Sequence, residues 1–161
     1  MMLLAGWLAR SIRLAASLAF ALLAMQAPAL TRADLAVLMY WTIASIRFAQ
    51  NVPPPPIAID IADIGSRDEV IRAMALGIYP VDPVTRRVNP DAEVTDNAFA
   101  TIVTRILRMR GAPCAQQQPA EQALTACGIT IAQDDLPVSG QTATTVLQEV
   151  DRALAEQRQA R

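Results

Sequence analysis

Few residues in this chain have the types and spacing to do chemistry. The most pointed group is Thr31-Arg32-Ala33-Asp34, at the head of an apolar run. A guanidinium offers a planar fork of N–H donors that grips a carboxylate or phosphate, so Arg32 with Asp34 beside it suits an anionic or hydroxyl-rich ligand. The same residues read as a helix start, with the Thr31 hydroxyl accepting from a first-turn N–H and Asp34 reaching back, which approximates a capping box. The dipole at a helix N-terminus mildly disfavours a cation, which hints that Arg32 serves something besides the helix. The second candidate is the pair Cys114 and Cys127, the only cysteines. Without histidine they make a poor metal site, and their spacing is not that of a redox CxxC. Two buried thiols or a disulfide remain; the proline-bounded segment between them, in an exported chain, favours the disulfide. Arg86-Arg87, Asp134-Asp135 and Tyr40-Trp41 have blander first readings: a solvated turn, a solvated acidic pair, and core or interface packing.

The omissions narrow the field further. The chain has no His, which removes the commonest general base and a frequent metal ligand. It has no nucleophile elbow, phosphate loop or metal cluster, so the expectation is a protein that is not an enzyme, with no cofactor and no metal. All 14 basic residues are Arg, set against 15 acidic ones. That balance makes no basic field and argues against nucleic acid as a partner.

The elements that must position these residues are helices. Apolar residues make up 53% of the chain but aromatics only 4%, so the core is built from Ala, Leu, Ile and Val, a composition rich in helix formers. At the N-terminus, Arg10 and Arg13 precede an apolar run, Leu14 to Met25, and then Gln26-Ala27-Pro28-Ala29 with small residues at the cleavage spacing. This is the pattern of a secretory signal peptide over 1–29, with an uncleaved membrane anchor as the alternative. The mature domain then covers 30–161, outside the cytoplasm: periplasm, cell wall or cell surface.

Within it, "LTRADLAVLM" (30–39), "VTDNAFATIV" (94–103) and "VSGQTATTVL" (138–147) share a pattern. Each opens with an aliphatic residue (Leu30, Val94, Val138) and then a hydroxyl (Thr31, Thr95, Ser139), with apolar or small residues recurring behind. An aliphatic N′ residue and a hydroxyl cap start a helix. The expected long helices are 31–49, 95–110 and 139–157. Short helices are expected at 66–76, capped by Ser66 with Glu69, and at 120–127. Gly77-Ile78 and Gly128-Ile129 terminate these two. The fold expected is all-α: a bundle of three long helices, decorated by the short helices and by proline-containing loops.

The order short helix, Gly-Ile, loop, aliphatic-Thr/Ser cap, long helix resembles the S-layer homology (SLH) domain. "IADI" (61–64), "ALGI" (75–78), "VNP" (88–90) and "VTDNAFATIVTRIL" (94–107) follow that family's order over 57–110. The resemblance divides the chain into one fairly complete unit, about 57–112, and two partial ones, about 30–56 and 113–161. It implies a non-catalytic envelope protein whose grooves bind cell-wall polysaccharide or a peptidoglycan-linked polymer, with Arg32 and Asp34 as the residues matching the family's glycan-binding signature. At the corresponding places the other units carry Asp96-Asn97 and Gly140-Gln141. The second function class is a helical scaffold for an envelope protein partner, with glycan binding lost. Membrane contact is expected only through the N-terminal segment, if it is uncleaved.

Overall fold

The three aliphatic-hydroxyl steps, Leu30-Thr31, Val94-Thr95 and Val138-Ser139, meet in space. The computed structural model describes residues 29–116, 119–132 and 134–159; the expected signal peptide, apart from Ala29, lies outside them. The Leu30 N–H donates to the Val138 carbonyl (3.3 Å), the Val138 N–H to Val94 (2.9 Å), and the Val94 N–H back to Leu30 (2.8 Å). This closed ring of backbone hydrogen bonds holds three buried aliphatic side chains together. Two isolated antiparallel bridges, Thr31 with Glu93 and Thr95 with Pro137, flank it. Among the described residues there is no sheet, and the fold is all-α.

Seven helices occur among the described residues: α1 Arg32–Thr42, α2 Ala44–Arg47, α3 Arg67–Ala75, α4 Asp96–Met109, α5 Pro113–Gln116, α6 Ala120–Ala126 and α7 Gly140–Gln159. Three of them, α1, α4 and α7, leave the ring. Thr31 and Thr95 hold the extended backbone that an N-cap needs (ψ 165° and 162°), and their side chains accept from Asp34 N and Ala98 N. The Ser139 hydroxyl accepts from Thr142 N at 3.0 Å. Ser66 departs from expectation. It precedes α3 with ψ 26° and makes no side-chain cap bond. That near-helical backbone follows a tight turn in which Arg67 N donates to Ile64 O. An N-cap side chain reaches the first-turn donors from the β region instead.

The Gly-Ile ends are Schellman closures. Ile78 N donates to Ala73 O and Gly77 N to Met74 O, and Ile129 N and Gly128 N do the same to Leu124 O and Thr125 O. Both glycines sit in the left-handed region (φ 70° and 72°), where a side chain is strained. The end of α4 repeats the closure with Gly111-Ala112, which the sequence reading did not single out.

The long helices pack in series and not as a closed three-way bundle, since α1 and α4 do not meet. Helix α7 packs against both α1 and α4, while α1 takes α3 as its second neighbour and α4 takes α6. The short helices thus pack in as neighbours of the long ones and do not merely decorate them. The expected helix 31–49 is also two helices. Ile43 adopts an extended conformation (φ −96°, ψ 102°), its side chain fully buried. The Ala44 N–H that leaves the ladder is taken by Asp151 Oδ1 of α7 at 3.0 Å. The segment 113–116, expected as loop, forms α5. The core is aliphatic, with Phe99 and Tyr79 among its largest fully buried side chains.

Candidate functional site

Thr31 and Asp34 form a complete capping box. The Asp34 carboxylate accepts from the Thr31 N–H (3.2 Å) and the Thr31 hydroxyl (2.6 Å), while the hydroxyl takes the Asp34 N–H (3.1 Å). Asp34 is exposed, yet Oδ2 is committed to the helix start. Arg32 is half-buried, not solvent-facing, and its Nη1 donates to the Val88 carbonyl at 2.8 Å. Its backbone N–H donates to Ala92 O and that of Ala33 to Pro90 O. Arg32 therefore seats the start of α1 on the loop 88–92. Nε and Nη2 of its fork have no hydrogen-bond partner among the described residues.

That loop borders an open cavity of about 370 Å³ lined by Asp60, Arg87, Asn89, Pro90, Asp91 and Ala92. The Asp60 carboxylate accepts from Val88 N and Asn89 N. The carboxylate shapes a loop that carries two left-handed residues, Arg86 (φ 54°) and Asn89 (φ 51°). A second Asp-centred turn shapes the far side: Asp82 accepts from Val84 N and Thr85 N, and these backbone bonds hold its carboxyl below the usual range. Arg87 and Asp91 are exposed at the cavity. One cation, two carboxylates and an amide side chain around an open groove suit a hydroxyl-rich ligand.

Tyr79 is the residue of this region that sequence reasoning missed. Its ring is 2% exposed, and its hydroxyl donates to the Arg32 carbonyl at 2.8 Å. Burial holds the phenol well above its ordinary range, so it remains a neutral donor. The only signal in the sequence was its place after Gly77-Ile78, as the largest residue following a helix end.

Asp96 is buried at the start of α4 and faces Asp134. The loop 134–137 docks there: Asn97 N donates to Asp134 O, Asp96 N to Leu136 O, and Asn97 Nδ2 to Asp135 Oδ1. Burial, then the hydrogen bond and the charge of Asp134, raise the Asp96 carboxyl above its usual range. A raised folded-state pKa means that the native chain holds this proton better than the unfolded chain. The contribution is full below the ordinary aspartate range and is lost as pH rises through the raised value. Asp134→Asn removes the charge and keeps an oxygen for the Leu136 N–H, which Asp134 Oδ1 accepts at 3.1 Å. It is expected to raise the melting temperature at pH 7 by on the order of 2 °C and to flatten the stability profile between pH 7 and pH 4. Thermal melts across that window check it; a variant as pH-dependent as the wild type counts against the pair.

Cys114 and Cys127 form a disulfide, with sulfurs 2.07 Å apart and Cα atoms 5.2 Å apart. It ties α5 to the C-cap of α6, away from the Arg32 groove. Trp41 is 61% exposed, with Tyr40 edge-on at 5.3 Å. Among the described residues no cluster of His, Cys, Asp and Glu is placed to hold a metal ion, and no helix is long and apolar enough to cross a membrane. The arrangement that emerges is an open polar groove beside a structural arginine. No known protein family, curated protein or solved structure matches this chain.

Proposed function

We propose that this chain is an exported, non-catalytic protein of the cell envelope with an SLH-like fold. It associates with cell-wall polysaccharide or a peptidoglycan-linked polymer through the groove lined by Asp60 and the loop 87–92, which Arg32 holds at Val88. The observation that carries the reading is the closed ring of Leu30, Val94 and Val138. It brings together the three cap segments whose order in the chain resembles that family. The groove adds a fitting chemistry, since Arg87, Asn89 and Asp91 can meet hydroxyls together. The disulfide is weakly consistent with a location outside the cytoplasm, and the segment 1–29 has the sequence of an export signal.

A pull-down with purified sacculi tests this. Arg87→Ala removes an exposed cation and is expected to weaken sacculus association by about tenfold with folding unchanged. Arg32→Ala is expected to weaken it as well, at a stability loss of about 1 kcal/mol, because the Val88 carbonyl loses its donor. Added salt acts in the same direction, since an exposed charge contact is screened. Unchanged association of both folded variants, or no association of the wild type with any wall preparation, turns the reading towards the protein scaffold.

A further inference from the structure

A second cavity lies at the opposite end of α4 and α7 from the ring. It measures about 450 Å³, and its walls include Phe48, Met109 and Leu154 on the apolar side and Arg110, Gln157 and Arg158 on the polar side. No acidic residue lines it among the described residues. Arg110 donates through Nε to Ser45 Oγ (3.3 Å) and Arg158 through Nε to Leu154 O (3.3 Å), which leaves the outer ends of both forks without a hydrogen-bond partner in the described chain. The cations press on one another: burial and then the charges of Arg72 and Arg158 lower the pKa of Arg110. The carboxylate facing this region from α7 is Asp151, whose Oδ1 is occupied by the Ala44 N–H.

The rim continues into an aromatic surface. The Arg47 guanidinium lies 4.6 Å from the Phe48 ring centre and 5.6 Å from that of Trp41, and its Nε is buried with no hydrogen-bond partner. Phe48 is 68% exposed and Met109 40%. Arginines around a cavity that no carboxylate lines, set among exposed Trp, Phe and Met, match an interface that is anionic at its surface and apolar just beneath.

We propose that this end of the molecule docks on a membrane surface containing anionic phospholipid, with the lipid phosphate between Arg110 and Arg158 and the acyl region against Phe48, Met109 and Trp41. The contact is independent of the groove at Arg32, which lies at the other end of α4.

The test uses the full chain in a Trp7→Phe background, which leaves Trp41 as the sole tryptophan, so that the emission reports on this surface. On phosphatidylglycerol-containing vesicles, Trp41 emission is expected to shift to the blue and to be quenched by brominated acyl chains. Pure phosphatidylcholine vesicles should leave it unshifted. Arg110→Gln with Arg158→Gln is expected to raise the lipid concentration needed for half the shift by about thirtyfold. The lipid comparison does not depend on that variant folding. The proposal is overturned by an unshifted Trp41 on anionic vesicles, by an equal shift on phosphatidylcholine, or by an equal affinity in a folded Arg110→Gln/Arg158→Gln chain.

Discussion

Replacing Arg72 by alanine is expected to lower the unfolding free energy by about 3 kcal/mol, the largest loss of any single substitution considered. Arg72 lies in the last turn of α3. Its Nε donates to Ile46 O (3.2 Å), and its Nη2 to Arg47 O (3.2 Å) and Ala49 O (2.6 Å). These carbonyls lie in and just beyond the last turn of the four-residue helix α2, which has little means of its own to hold its end closed. Each charge-assisted bond contributes about 1.5–3 kcal/mol in isolation, and three on one side chain fall well short of additive. Arg72→Lys is expected to recover less than half of the loss, since a single ammonium on a flexible stem cannot reproduce the fork. Urea unfolding with an unchanged m-value measures both. A loss under about 1 kcal/mol for Arg72→Ala would show that water serves these carbonyls equally well.

Removing the disulfide is expected to cost about the same, roughly 3 kcal/mol, or a fall in melting temperature on the order of 10 °C. The bridge closes a loop between residues 13 apart, and in the chain-entropy account its effect lies in the unfolded state, which it forbids from expanding there. Helices α5 and α6 have four and seven residues, too short to persist without packing. A Cys114→Ser/Cys127→Ser chain should lose this amount in non-reducing buffer and then show no response to reductant. The wild type should fall to the same level on reduction. A wild type indifferent to reductant, with the bridge shown to be open, refutes the expectation.

Much of the local structure was legible in the sequence. The caps at Thr31, Thr95 and Ser139 join groups within three residues of one another, so the information needed to place them is local. The glycine closures are equally local: Gly77 and Gly128 relieve a left-handed backbone that other residues resist. Ser66 shows the limit. Residue type nominated it as a cap, but its use depended on the backbone angle that the preceding turn imposed.

The groove was only half legible. Arg32 stood out through its unfavourable place at a helix start, but its tie to Val88 spans 56 positions and carries no sequence pattern. Tyr79, which fixes the Arg32 carbonyl from 47 positions away, had no local signature beyond its place after Gly77-Ile78. Both are hydrogen bonds whose partners are backbone carbonyls, and every residue has one of those.

The sequence by itself determined the helical class, the starts of the three long helices, the Gly-Ile ends and the pairing of the only two cysteines. Each follows from side-chain chemistry within a turn or two, or from there being one partner available. The tertiary structure alone decided that Leu30, Val94 and Val138 close a ring, that Asp151 takes the N–H freed where α1 and α2 part at Ile43, and that α7 lies between α1 and α4 with short helices on their flanks. It also decided that Arg47, Arg110 and Arg158 share one end of the molecule with exposed aromatics. These depend on which distant backbone groups and charges the folded chain brings together, and burial and long-range hydrogen bonding settle that only once all the elements are in place.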